Sequence, residues 1–147
     1  MHSRVCHLAL ACALFVLTGT SASSAAQQRI LMHTFQDGPS LVFLSYHEAP
    51  AGPVALLRHK GSSPRERLIH ISQQQFDDAW MRLMASGATQ YSGSKNPSRK
   101  FDAESNYIFS IAYLPEGTSQ NFVVPKNRAS DSLRKLSEDL QIFARSQ

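Results

Sequence analysis

Cysteine is scarce in this chain of 147 residues: only Cys6 and Cys12 are present, and both lie near the start. Two cysteines cannot form a disulfide-dense scaffold. No apolar run reaches the roughly 18 residues that a membrane-spanning helix requires, and no internal repeat is found. With 42% hydrophobic and 18% charged residues, the composition indicates a globular domain rather than a disordered chain.

Residues 1–26 contain the three parts of a secretory signal peptide in their usual order. Arg4 lies in a short polar start, an apolar run fills positions 8–17, and small and polar residues occupy positions 20–26. The apolar run has the length of a signal core and is too short to span a bilayer. We therefore expect cleavage after residue 26, a periplasmic or secreted protein without a transmembrane anchor, and a single domain at 27–147.

The position of Cys12 argues against lipidation, because this residue lies inside the apolar run rather than at its end. Cleavage would remove both cysteines and leave a cysteine-free mature domain. Such a domain has no thiol for catalysis, zinc ligation or disulfide formation. We expect it to be stabilised by its hydrophobic core alone.

Alternating apolar residues and turn residues predict three β-hairpins and two helices. Asp37-Gly38 is a hairpin turn signal, and Ser72 with Gln75 forms a capping box. The predicted strands are 30–35, 41–46, 54–59, 65–71, 106–114 and 121–124, and the helices are 73–86 and a segment that begins at 130 or 131. The order ββββαββα predicts an α+β fold: a mainly antiparallel sheet of about six strands with two helices on one face. A long polar connection is predicted at 87–105.

The first hairpin is apolar on both of its faces. With Asp37 and Gly38 as the loop, Leu31, His33 and Phe35 share one face with Val42, Leu44 and Tyr46, and Met32 shares the other with Leu41 and Phe43. This pattern predicts strands near the centre of the sheet or a hairpin that is covered on both sides.

No catalytic signature occurs in the chain, which lacks a nucleophile elbow, a Walker loop, a dinucleotide fingerprint and an HExxH motif. We therefore predict no catalytic residue, no metal site and no cofactor. The four histidines after residue 26 lie on or beside different predicted strands, where two could meet as metal ligands. His33, among apolar neighbours, can equally be a hydrogen-bonded core residue.

Positive charge is concentrated in two short segments that contain a single acidic residue, Glu66. Seven of the 15 Lys and Arg residues lie there: Arg58, Lys60, Arg65, Arg67, Lys95, Arg99 and Lys100. If the segments meet in space, they form a basic patch that attracts an anionic partner. For an exported protein that partner would be another envelope or secreted protein or an anionic envelope component, and not nucleic acid.

These features predict a small, non-enzymatic binding protein, for example an inhibitor or an immunity-type protein, that uses the basic segments as its contact surface. The alternative is a small envelope hydrolase or metal-dependent enzyme that uses His47, Glu48 or His70. The two differ in whether those side chains converge in one pocket.

Overall fold

The first two strands form the centre of a six-stranded antiparallel sheet. The computed structural model describes residues 26–92 and 102–147. Its strands are β1 (Gln28–Asp37), β2 (Ser40–His47), β3 (Val54–Lys60), β4 (Arg65–His70), β5 (Asn106–Leu114) and β6 (Thr118–Pro125). The order across the sheet is β4-β3-β2-β1-β5-β6. This sheet and the two helices, which are described next, confirm the predicted α+β fold.

The turn between β1 and β2 consists of Gly38 and Pro39, one residue later than predicted. Asp37 pairs with Ser40, so Asp37 belongs to the strand, and Gly38 adopts a φ of 57° that favours glycine. The shift moves each cross-strand partner by two residues. Because side chains alternate with a period of two, the predicted sharing of faces is still correct.

Helix α1 (Gln73–Ala85) begins at the predicted capping box. The Ser72 hydroxyl accepts a hydrogen bond from the Gln75 backbone N–H at 3.1 Å, and the Gln75 side-chain oxygen accepts one from the Ser72 N–H at 2.8 Å. The two bonds satisfy amide groups that have no partner inside the helix. Gly87, in the left-handed conformation at φ 81°, follows the end of the helix.

Helix α2 (Asp131–Arg145) is capped by Ser130, whose hydroxyl accepts a hydrogen bond from the Leu133 N–H at 3.2 Å. Two short 3₁₀ helices occur outside the main elements, at Ala88–Tyr91 and at Lys126–Arg128. The first lies in the connection predicted as a loop, and Ser92 after it pairs with Phe122 of β6.

Both helices pack on one face of the sheet, where the core lies. Trp80 of α1 packs edge-on against Tyr113, with 5.6 Å between the ring centres. Phe143 of α2 packs edge-on against Tyr46, with 5.7 Å between the ring centres. The largest fully buried apolar side chains come from strands and helices together: Leu31, Leu44, Phe76, Leu83, Phe109, Ile111, Phe122, Leu133 and Leu136. Met84, which follows the buried Leu83 on α1, is exposed.

Arg29 ties the amino-terminal end of α1 to the sheet. Its guanidinium donates to both carboxylate oxygens of Glu48, at 2.9 and 2.7 Å, and to Asp77 of α1 at 2.8 Å. The same group lies 5.0 Å from the ring centre of Phe76 and 5.3 Å from that of Trp80. A side chain that joins two elements in this way holds the helix against the sheet.

The predicted signal peptide lies outside the described residues except for Ala26. Within 26–92 and 102–147, neither helix is long and apolar enough to cross a membrane.

Candidate functional site

The face of the sheet opposite the helices contains a groove of about 1030 Å³. Its apolar floor includes Met32, Leu41, Phe43 and Ile108. Hydroxyl and amide side chains extend across it in the order of the strands, and Arg58 and Lys60 lie at the end formed by β3. The polar side chains are Thr34, Ser45, Ser110 and Asn121. The groove therefore combines an apolar surface with one positively charged end.

Cross-strand pairing explains why these side chains meet. Arg58 pairs with Phe43, Phe43 with Thr34, and Thr34 with Ile108, which makes one continuous row over four strands. Directly paired residues of antiparallel strands project from the same face. The row thus brings a cation of β3 next to an aromatic ring of β2, although the two are distant in sequence.

Three large apolar side chains of the described residues are exposed on this face. Phe43 is 37%, Leu68 is 62% and Leu114 is 39% exposed. Leu68 pairs with Leu56, whose other partner is Ser45, so it lies in the row next to that of Phe43. Exposed apolar residues that adjoin a groove mark contact surfaces more often than isolated ones do.

The four cations of the segment 58–67 are divided between the two faces of the sheet. Arg58 and Lys60 project from the open face, whereas Arg65 and Arg67 are in register with His59 and Leu57 on the helix side. The division follows from strand alternation. The other predicted contact residues, Lys95, Arg99 and Lys100, lie outside the described residues, so whether the two basic segments meet stays a prediction.

A second cleft, of about 500 Å³, lies on the helix side of the β3–β4 hairpin. Arg65 and Arg67 form one wall, and Arg145 near the end of α2 forms another. Arg145 donates to Asp37 at 3.1 Å. Arg145 was not among the predicted contact residues, since no local sequence signal relates the last turn of the final helix to a hairpin some eighty residues earlier.

His33 is the hydrogen-bonded core residue that its apolar neighbours suggested. Its ring is 1% exposed and stacks on Phe109 at 4.2 Å. Nδ1 donates to the Ile108 carbonyl at 3.0 Å, because a carbonyl can only accept, and Nε2 therefore accepts from the Ser137 hydroxyl at 2.9 Å. Burial lowers the pKa of His33 to about 4. The ring is neutral near pH 7, and it is enclosed together with the fully buried Ser137.

His47 and Glu48 are engaged separately. His47 Nε2 is 2.8 Å from the Ser45 hydroxyl on the open face, and its pKa is lowered by partial burial and by the nearby charge of Arg58. The Glu48 carboxylate is held by Arg29, whose hydrogen bonds lower the Glu48 pKa. Among residues 26–92 and 102–147, no three His, Cys, Asp or Glu side chains are grouped so that they could hold a metal ion.

Within the described residues, this is an α+β protein whose sheet carries two helices on one face and the groove on the other. No protein-family model matches the chain, and no curated protein matches it.

Proposed function

We propose that this chain is an exported, non-enzymatic binding protein, periplasmic or secreted, that holds an acidic segment of another exported protein against the open face of its sheet. The observation that carries the proposal is the groove itself, in which the exposed ring of Phe43 adjoins Arg58 and Lys60. An apolar floor with a cationic end favours a segment that carries both apolar and acidic side chains.

The charges at the groove favour an acidic occupant. Glu66 is the only acidic side chain that lines the groove within the described residues, and Arg58 already contacts it at 2.6 Å. Both members of that pair are more than half exposed. Such pairs contribute little to stability, so Arg58 can exchange Glu66 for an acidic group of a partner at small cost.

An inhibitor or immunity-type role fits this interpretation, because a sheet face can cover the surface of another protein without chemistry of its own. The alternative, a hydrolase or metal-dependent enzyme built on His47, Glu48 or His70, has less support. Glu48 is neutralised by Arg29 on the helix side, and His47 bonds to Ser45 on the open face. His47 and Glu48 thus lie on opposite faces of the sheet and do not form an acid–base pair with each other.

Site-specific photocrosslinking tests the proposed function. A photoreactive benzoyl-phenylalanine at position 43 should crosslink an exported protein in envelope extract, through a peptide rich in Asp and Glu. The same probe at position 142, where the exposed Ile142 of α2 lies on the helix side, is the matched control. Adding Lys60→Glu should abolish the crosslink at position 43. Equal crosslinks from both positions, or a crosslinked peptide without acidic residues, would contradict the proposal.

A further inference from the structure

The second cleft lies between the β3–β4 hairpin and the carboxyl-terminal end of α2, and it shares His59, Arg65 and Glu66 with the lining of the groove. Arg65 and Arg67, two residues apart on β4, project to the same side and are separated by about 6.6 Å along the strand. Arg145 of α2 lines the cleft with them, and so do the acidic residues Asp37 and Glu66. Three arginines and two carboxylates therefore line a cleft of about 500 Å³.

Acidic side chains do not match these cations. Of the two carboxylates that line the cleft, Asp37 contacts Arg145 at 3.1 Å and Glu66 contacts Arg58 at 2.6 Å. Within residues 26–92 and 102–147, neither Arg65 nor Arg67 forms an ion pair. Arg65 and Arg67 are therefore the two cations of the cleft that are engaged by neither Asp37 nor Glu66.

We infer that this cleft binds a phosphorylated small molecule or a phosphate-bearing headgroup. The guanidinium group presents paired N–H donors that match the spacing of phosphate oxygens, which favours phosphate over a simple halide. The volume exceeds that of a single phosphate, and Leu57 and Ala144 supply an apolar part of the wall. A diphosphate, or a phosphate attached to a compact organic group, fits both the charge and the size.

Calorimetric titration of the purified chain with pyrophosphate tests the site. Arg67→Gln removes a cation that lines only this cleft, and we expect it to weaken pyrophosphate binding by about tenfold or more. Arg128→Gln is the matched control: Arg128 is exposed, and it lines neither cleft. This variant should bind as the parent chain does. No measurable binding by the parent chain, or equal weakening by both variants, would overturn the inference.

Two further arms separate the sources of phosphate. Inorganic phosphate that binds nearly as well as pyrophosphate indicates a small soluble ligand, whereas cosedimentation with phosphatidylglycerol vesicles, lost in Arg67→Gln but not in Arg128→Gln, indicates a lipid headgroup. Circular dichroism of each variant shows that it is folded. The two proposals fail separately, because Arg67 does not line the groove and Phe43 does not line the cleft. Loss of the crosslink at position 43 leaves the pyrophosphate result unaffected.

Discussion

The two faces of the central hairpin are built from alternate residues of the same two strands, yet within residues 26–92 and 102–147 the helices cover only one of them. Leu44, which faces the helices, is 1% exposed, whereas its neighbour Phe43, on the open face, is 37% exposed. Both are large apolar residues in the middle of β2. Their difference is set by where α1 and α2 pack and not by their own chemistry.

The open face of the sheet keeps apolar side chains that the two helices do not cover. A sheet with one covered face ordinarily alternates apolar and polar residues. Here Met32, Leu41 and Phe43 interrupt the alternation on the side without helices. Apolar side chains kept at exposed positions contribute little to folding, and this is what makes the open face the better candidate for contact with a partner.

Leu44→Ala and Phe43→Ala test directly whether the two faces of the hairpin differ in their contribution to stability. Removing the buried Leu44 side chain should lower the free energy of unfolding by about 3 kcal/mol, because a cavity remains in a packed core. Phe43→Ala should lower it by less, about 1 kcal/mol, because more than a third of the Phe43 surface is already exposed to solvent. Urea unfolding of both variants measures the difference. Similar losses would show that the open face is covered in solution.

Acidification should weaken the covered face through His33. Unfolded histidine titrates near pH 6.5, whereas the His33 pKa in the fold is about 4, so the unfolded chain binds more protons between these values. The stability contribution is complete above pH 6.5 and is lost as the pH falls towards 4. Between pH 7 and pH 5 the loss should be about 2 kcal/mol.

Urea unfolding at both pH values measures this loss, and His33→Gln should remove most of the difference. A small remainder from His47, whose pKa is also lowered, is expected in the same direction. The NMR titration of the His33 ring in the parent chain is an independent check. A His33 pKa near 6.5 would contradict the buried, neutral assignment.

Much of the fold could be predicted from local sequence signals. The capping box at Ser72 and Gln75 and the alternation that predicts a strand at 106–114 each depend on neighbouring residues, and α1 and β5 form where they were expected. The turn at Gly38 and Pro39 differs from the prediction by one residue, because Asp37-Gly38 is a common turn pair but Asp37 here continues the strand.

The candidate sites were harder to predict, because they depend on contacts across the sheet. The sequence grouped Arg58, Lys60, Arg65 and Arg67 as one basic segment, but it contained no register that would divide them between two faces. It also could not show that α2 places Arg145 opposite Arg67. Likewise, apolar residues on both faces of the first hairpin could not reveal which face the helices cover.

The ion pairs on the two sides of the sheet should also differ in coupling energy, by a smaller amount. Arg29 and Glu48 share two hydrogen bonds, and both side chains are about three-quarters buried, whereas Arg58 and Glu66 share a single contact at the surface. A double-mutant cycle for the first pair should give a coupling energy of about 1 kcal/mol, against less than about 0.5 kcal/mol for the second.

Urea unfolding of the parent chain, the single variants and the double variant of each pair supplies both values. The coupling of Arg58 to Glu66 should also vanish at high salt, because solvent-exposed charges are screened. A weak coupling means that Arg58 is held in place near Phe43 without being committed to Glu66. A coupling as strong as that of Arg29 and Glu48 would instead make the exchange of Glu66 for a partner's carboxylate costly, and would remove Arg58 from the proposed contact.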